Sequence, residues 1–285
     1  MLNDAGRLIG DFTLCRVSAA RFFVVGAYAA EVFYMRWFEQ HLPPTGVTVR
    51  PCAMEYLGLS VAGPQSRALL QKLVDHDLST AAFPFMSFAR MDVGMVPALV
   101  GRVSFTGEMG YEMWVTSEYL RSLYDLLHEA GKAHGLKNFG GRALNSLRLE
   151  KSFGNWAREF RPIYGPYEAG LGRFVHLDKP DFIGKAAAAA EKASGGARKL
   201  ITLAVDAKDA DAIGDEPIWH GDKVVGWVTS GGYGHTVGKS IALGYVDNAV
   251  AGETNGFAVE LLGERRAAVR SAGALVDPQG LRMRA

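Results

Sequence analysis

Val228–Val246 reads VTSGGYGHTVGKSIALGYV. Glycines beside a lysine and a serine are the ingredients of a phosphate-gripping loop, but the spacing rules that loop out. A P-loop keeps four residues between its first glycine and Gly-Lys-Ser/Thr. Here Gly234 leaves three before Gly238-Lys239-Ser240, and Gly232 leaves five. The dinucleotide pattern G-x-G-x-x-G also fails, because three residues rather than two separate Gly234 from Gly238. Both nucleotide loops run from a strand into a helix whose first amides hold the phosphate. The flanks here, KVVGWVTS and SIALGYV, are short and apolar, so each reads as a strand. The stretch is predicted to be strand, glycine turn, strand. Its glycines supply positive φ in the turn, and Lys239 stays away from phosphate.

The strand pattern continues on both sides. KLITLAV, EPIWHG, GFAVELLG and ERRAAVR are further short strands, which together predict a small antiparallel sandwich or barrel. SGGARK at 194–199 combines glycine, serine and charge and divides a region 1–193 from a second domain 194–285. Upstream, helices and strands mix. RLIGDFTLCRV and RFFVVGA read as strands joined by a polar turn, and AAEVFYMRWFEQHL reads as a helix stopped by Pro43-Pro44. EYLGLSV is a strand, and PQSRALLQKLVDHD a helix with proline in its first turn. Strands in FARMDVGMVPALVG and YEMWVTS precede the helix SEYLRSLYDLLHEAGKAHG. This order predicts an α+β fold with a split β-α-β lobe. GRALNSLRLEKSF and KPDFIGKAAAAAEKA supply two more helices.

With 285 residues, 48% hydrophobic and 21% charged, and a formal net charge of +1, the chain fits a globular protein with ample core. Interspersed acids and bases leave no basic stripe for nucleic acid and no polybasic cluster for a membrane surface. The most apolar run, RFFVVGAYAAEVFYMRW, is broken by Glu31 and is too short to cross a bilayer. MLNDAGRLIGDF lacks the regions of a signal peptide. Two cysteines, Cys15 and Cys52, argue against a disulfide framework and for a reducing compartment, taken as cytoplasmic. The histidines form no H-E-x-x-H and the cysteines are far apart, so no metal site is expected. No G-x-S-x-G elbow occurs.

Two acidic loops remain as candidate chemistry. GRLIGDF places Asp11 beside a glycine at the end of an apolar run. FTGEMGYE places Glu108 in a glycine turn and Glu112 at the start of a strand, facing opposite to Tyr111. Each is either a turn or cap carboxylate or a buried carboxylate that recognises an N–H-rich heterocycle through paired hydrogen bonds. Residue chemistry alone leaves both open.

Five motifs choose between them. MLNDAGRLIGDFTL, VSFTGEMGYEMWV, RALNSLRLEKSFGNWAREF, YEAGLGRFVHLDKPDFIGKAA and VVGWVTSGGYGHTVGKSIALGYV resemble, in order and spacing, the folate-dependent aminomethyltransferase family. That family includes the glycine cleavage T-protein and the tetrahydrofolate-binding C-terminal halves of dimethylglycine and sarcosine dehydrogenases. GDFTL, FFVVGA and ALNSLRLEKSFGNW are closer in wording to the dehydrogenase halves. The resemblance implies an aminomethyltransferase-like folate-binding fold whose C-terminal domain is an antiparallel β-barrel, and it places the opening hairpin in that barrel. It also implies that relatives carry roughly 80–100 residues ahead of the MLN position, so the family's N-terminal segment is expected to be absent. An uncovered edge left there would invite self-association or a partner chain.

The resemblance also assigns roles. Asp11 falls on the family's essential aspartate, near the folate nitrogens that accept the one-carbon unit. Glu112 matches the glutamate that hydrogen-bonds the pterin. Val25 falls on an apolar wall of the pterin pocket, and Phe105 stands where relatives usually carry tyrosine. Ala27 and Leu144 replace an asparagine and a pterin-contacting arginine of the T-protein, and Arg142 is the cation nearest in sequence to take the arginine's place. The implied activity is transfer of a methyl or methylene group from an amine or iminium donor to tetrahydrofolate. The implied partner is a flavin dehydrogenase domain or subunit, although no flavin-binding glycine fingerprint occurs in this chain. The alternative is a non-catalytic folate-binding or structural module of a larger protein.

Overall fold

The computed structural model describes all 285 residues, Met1–Ala285. They form two compact units: Phe12–Gly140 with Gln279–Ala285, called here the sheet unit, and Met1–Asp11 with Gly141–Pro278, the barrel unit.

The sheet unit opens with a hairpin of β1 (Thr13–Arg16) and β2 (Phe22–Val25), followed by α1 (Glu31–His41). Its main sheet contains β3 (Tyr56–Ala62), β4 (Phe88–Val93), β5 (Val96–Gly101) and β6 (Gly110–Thr116), antiparallel throughout in the order β3-β6-β5-β4. α2 (Ser66–Leu70) lies between β3 and β4 in sequence, and α3 (Leu120–Gly131) follows β6. Along β6, Tyr111, Met113 and Val115 are wholly buried. They pack with Leu69 and Leu70 of α2 and with Leu123 and Leu127 of α3. The period of two then forces Glu112 and Trp114 onto the opposite face. α2 is shorter than its sequence pattern suggests because Gln71 competes for the backbone beyond it. The Gln71 amide donates to the carbonyls of Val74 and His76 and accepts from the amide of Leu78, which stabilises turns in place of further helix. The unit ends in Gln279–Ala285, which includes the short α6 (Leu281–Arg284).

The barrel unit contains α4 (Gly141–Glu150), α5 (Lys185–Ser194) and six strands: β7 (Arg198–Val205), β8 (Pro217–His220), β9 (Lys223–Gly234), β10 (Lys239–Asp247), β11 (Phe257–Leu261) and β12 (Glu264–Ser271). The strands close in the order β10-β7-β12-β11-β8-β9, which leaves no unpaired edge. Leu203, Ile218, Val228, Ala242 and Val259 fill the interior.

The opening stretch is strand, turn, strand: β9 leads through 235–238 into β10, and Lys239 is the exposed first residue of β10. The turn does hold an anion, but a protein one. The amides of Thr236 and Val237 donate to Glu150 Oε1 at 2.6 and 3.1 Å. The glycines serve two purposes, of which only one was expected. Gly238 has φ +69° in the turn, as its conformational freedom allows. Gly226 and Gly231 are needed for close approach instead, since a Cβ there would collide with the carbonyls of Tyr245 and Ala212.

The expected strand over 7–17 begins only at Thr13. Residues before it fold back through an asparagine turn, in which the amides of Gly6 and Arg7 donate to the Asn3 carbonyl and side chain. The Leu8 amide is taken by Tyr164 O at 3.0 Å, and Leu8 and Ile9 are buried.

α4 is fastened to the barrel by a buried ion pair. Arg148 Nη1 donates to Glu159 Oε2 at 3.1 Å, and neither side chain is more than 4% exposed. The Asn155 amide and the Thr229 hydroxyl complete the carboxylate's shell. Glu159→Ala would strand Arg148 and is expected to cost about 3–5 kcal/mol. This is checked as a fall in the urea midpoint of barrel unfolding; an unchanged midpoint would contradict the assignment.

Candidate functional site

Glu112 stands on the face of β6 turned away from the helix-backed core, paired in register with Ser60 of β3 and Gly101 of β5. Next to it on the same face, Trp114 spreads over two glycines. A Cβ at Gly58 or Gly101 would meet the indole at 3.2 or 3.3 Å. Phe23 of β2 packs against Trp114, Phe88 and Tyr56, with centroids 5.4–6.4 Å apart, so the β1–β2 hairpin covers this face. Cys15 is Phe23's register partner. Its thiol is pushed up to about 11 by burial and by the charge of Glu112, which places the two side chains within electrostatic reach.

Val25 belongs to the same hairpin face as Phe23, by alternation along β2, and is half-buried. Phe105, also half-buried, lies on the β5–β6 connection that leads into the strand of Glu112. The sheet unit therefore contains Glu112, Val25 and Phe105. Glu112 makes no side-chain hydrogen bond or ion pair within its unit, and burial raises its carboxyl above the usual range. Asp11 and Arg142 belong to the barrel unit. Asp11 is accessible at its surface, yet the surrounding protein raises its carboxyl, with the Met1 ammonium pulling the other way. Arg142 is exposed in the first turn of α4, and Leu144 follows it half-buried.

A cavity of about 260 Å³ opens beside Cys15, walled by Thr13, Arg16, Phe88, Gly101 and Trp114 among others. None of the five candidate residues lines it. Cys15, Phe23 and Trp114 were not read from the sequence as site residues. Their proximity depends on strand pairing, and the one local signal was the pair of glycines opposite Trp114, which acquires meaning only once the register is known.

Fold and site define a protein of mixed α and β structure with a closed antiparallel barrel and a partly buried carboxylate, Glu112, that the core does not use. The chain belongs to the glycine cleavage T-protein family: the profile of the GCVT N-terminal domain matches residues 1–179, and that of the glycine cleavage T-protein C-terminal barrel domain matches 198–277. Human mitochondrial dimethylglycine dehydrogenase is 39% identical over 272 residues, which cover 94% of this chain and 31% of that protein. The chain thus spans about a third of the dehydrogenases it matches. An aminomethyltransferase of Desulfitobacterium hafniense (strain Y51) is 31% identical over 256 residues, 89% of this chain and 69% of that protein. The crystal structure of glycine cleavage system aminomethyltransferase T from Bartonella henselae superposes with a TM-score of 0.84 at 23% identity, over 98% of this chain and 75% of that one. That likeness establishes the T-protein fold. No helix is long and apolar enough to cross a membrane.

The raised carboxyl of Glu112 has a consequence for stability. A folded-state carboxyl above its unfolded value favours the fold when protonated, so its contribution is present below the unfolded value and lost as pH rises through the folded one. Glu112→Gln is therefore expected to raise the melting temperature of the ligand-free chain by a few degrees near pH 8, with the gain vanishing by about pH 4. Scanning calorimetry across that range is the check, and a gain independent of pH would contradict burial as the cause.

Proposed function

We propose that this chain transfers a one-carbon unit, methyl or methylene, from a small amine or iminium donor to tetrahydrofolate. The observation that carries the reading is Glu112. It is a half-buried carboxylate without an ion-pair partner, raised by desolvation and set on a sheet face of aromatic side chains. Such a group is costly to the fold and is matched by a ligand that brings N–H donors, as a pterin ring does. Val25 and Phe105 would pack against the ring. Asp11, accessible and with a raised carboxyl, would orient the accepting folate amine and take up its proton. Arg142 would supply the cation that Leu144 does not.

The amine donor and a flavin dehydrogenase domain or subunit are the partners this reading calls for, and the dehydrogenase relatives support it. The two free cysteines favour a reducing compartment such as the cytoplasm. The boundary at 193/194 separates the folate-binding region from the barrel domain in this scheme. Ala27 and Leu144 favour one rival, a folate-binding module without catalysis.

Two substitutions separate the readings. Glu112→Ala is expected to weaken tetrahydrofolate binding by about 1–3 kcal/mol in calorimetric titration. Asp11→Asn is expected to leave affinity within a few-fold but lower the transfer rate by about 10²–10⁴. Equal losses of affinity with no transfer by the parent chain would favour the module, and indifference to both changes would remove the site.

A further inference from the structure

The β5–β6 connection, residues 102–109, is tied near both ends to Gln279–Ala285. At its start the Arg102 side chain is wholly buried. Its Nη1 donates to the Phe83 carbonyl at 2.7 Å, and its Nη2 to the main-chain oxygen of Ala285 at 2.5 Å. The same Ala285 oxygen accepts from Arg67 Nη2 at 2.6 Å and from the Thr80 hydroxyl at 2.9 Å. Toward the other end, Arg282 Nη1 donates to Glu108 Oε1 at 2.6 Å. Met283 between these anchors is buried. Phe105 lies between Arg102 and Glu108, and the next strand carries Glu112.

The charges make this strap more than a surface tie. Arg67 and Arg102 converge on one oxygen, and neither is paired with a carboxylate side chain. The Nε of each is buried without a partner. Burial, then the nearby Arg67, pushes the Arg102 guanidinium down. A buried cation depends on each hydrogen bond it keeps, so the strap, which supplies one of them, and Arg102 are energetically coupled. The loop itself is stiff. Arg102's own amide and carbonyl bond to Ser87 and Met86, and the Thr106 hydroxyl bonds to Ser104 Oγ and to the Glu108 amide. A shift at either anchor would therefore move the loop as a body.

We propose that Arg102, gripping the Gln279–Ala285 strap, is a positioning residue that holds the loop bearing Phe105 for pterin binding. Its functional half rests on the folate reading above. Arg102 does not itself need to touch the ligand.

Hydrogen–deuterium exchange and tetrahydrofolate titration of the full chain test this in Arg102→Gln, Arg102→Lys and Arg282→Glu. In Arg102→Gln, amides of 102–109 should exchange about tenfold faster while β3, β6 and the barrel strands keep their protection. Tetrahydrofolate affinity should fall about tenfold, and Arg102→Lys should recover part of both losses. Faster exchange throughout the sheet unit would reduce Arg102 to a stabilising role. Unchanged loop exchange, or faster exchange with full affinity, would likewise overturn the proposal. Should Arg102→Gln fail to fold, Arg282→Glu at the half-exposed pair with Glu108 supports it by the same pattern at smaller amplitude and overturns it by the pattern's absence. A parent chain that does not bind tetrahydrofolate would defeat the folate reading, while the exchange arm still decides whether the strap holds the loop.

Discussion

The Glu159 carboxylate, shut off from solvent, accepts hydrogen bonds from Arg148 of α4, from the Asn155 amide and from the Thr229 hydroxyl of β9. Its main-chain carbonyl accepts from the Tyr245 hydroxyl of β10. One residue thus joins the helix, the loop after it and two adjacent barrel strands. A buried ion pair gives little net stability relative to apolar packing, but breaking one is expensive because a charge is left behind. What it supplies is placement. α4 is anchored to the barrel through this pair, and Glu150, the last residue of that helix, receives the amides of the β9–β10 turn.

The same residue type is used in the opposite way in the sheet unit. Both carboxylate oxygens of Glu159 accept from donors of its own unit, whereas Glu112 is half-buried without an ion-pair partner and its carboxyl is raised. A core carboxylate that matters to folding resembles the first. A carboxylate kept in a desolvated setting without partners resembles the second, and its cost is offset when a ligand supplies the donors. This contrast, rather than the sequence motif alone, supports the functional reading.

Much of the fold was legible because it rests on local rules. The short apolar runs from KLITLAV to ERRAAVR became the six barrel strands, and the spacing around Gly238-Lys239-Ser240 excluded a phosphate loop before the turn's real anion, Glu150, was seen. Period two along YEMWV set Glu112 apart from Tyr111. What escaped depended on contacts between distant residues. Gly231 looked like a turn glycine but is a close-approach site, as is Gly226 in the strand before it. The extent of α2 was decided by the Gln71 side chain. The platform of Trp114 on Gly58 and Gly101 exists only in the strand register, and the grip of Arg67 and Arg102 on Ala285 joins positions far apart in the chain.

A crystal structure of the chain with bound tetrahydrofolate bears most directly on the central claim that Glu112 is reserved for a heterocycle. The expected result is a pterin ring against Val25 and Phe105, its N–H groups donating to the Glu112 carboxylate within ordinary hydrogen-bond distance, about 2.7–3.2 Å. A ring bound elsewhere, with Glu112 still facing no ligand donor, would contradict it.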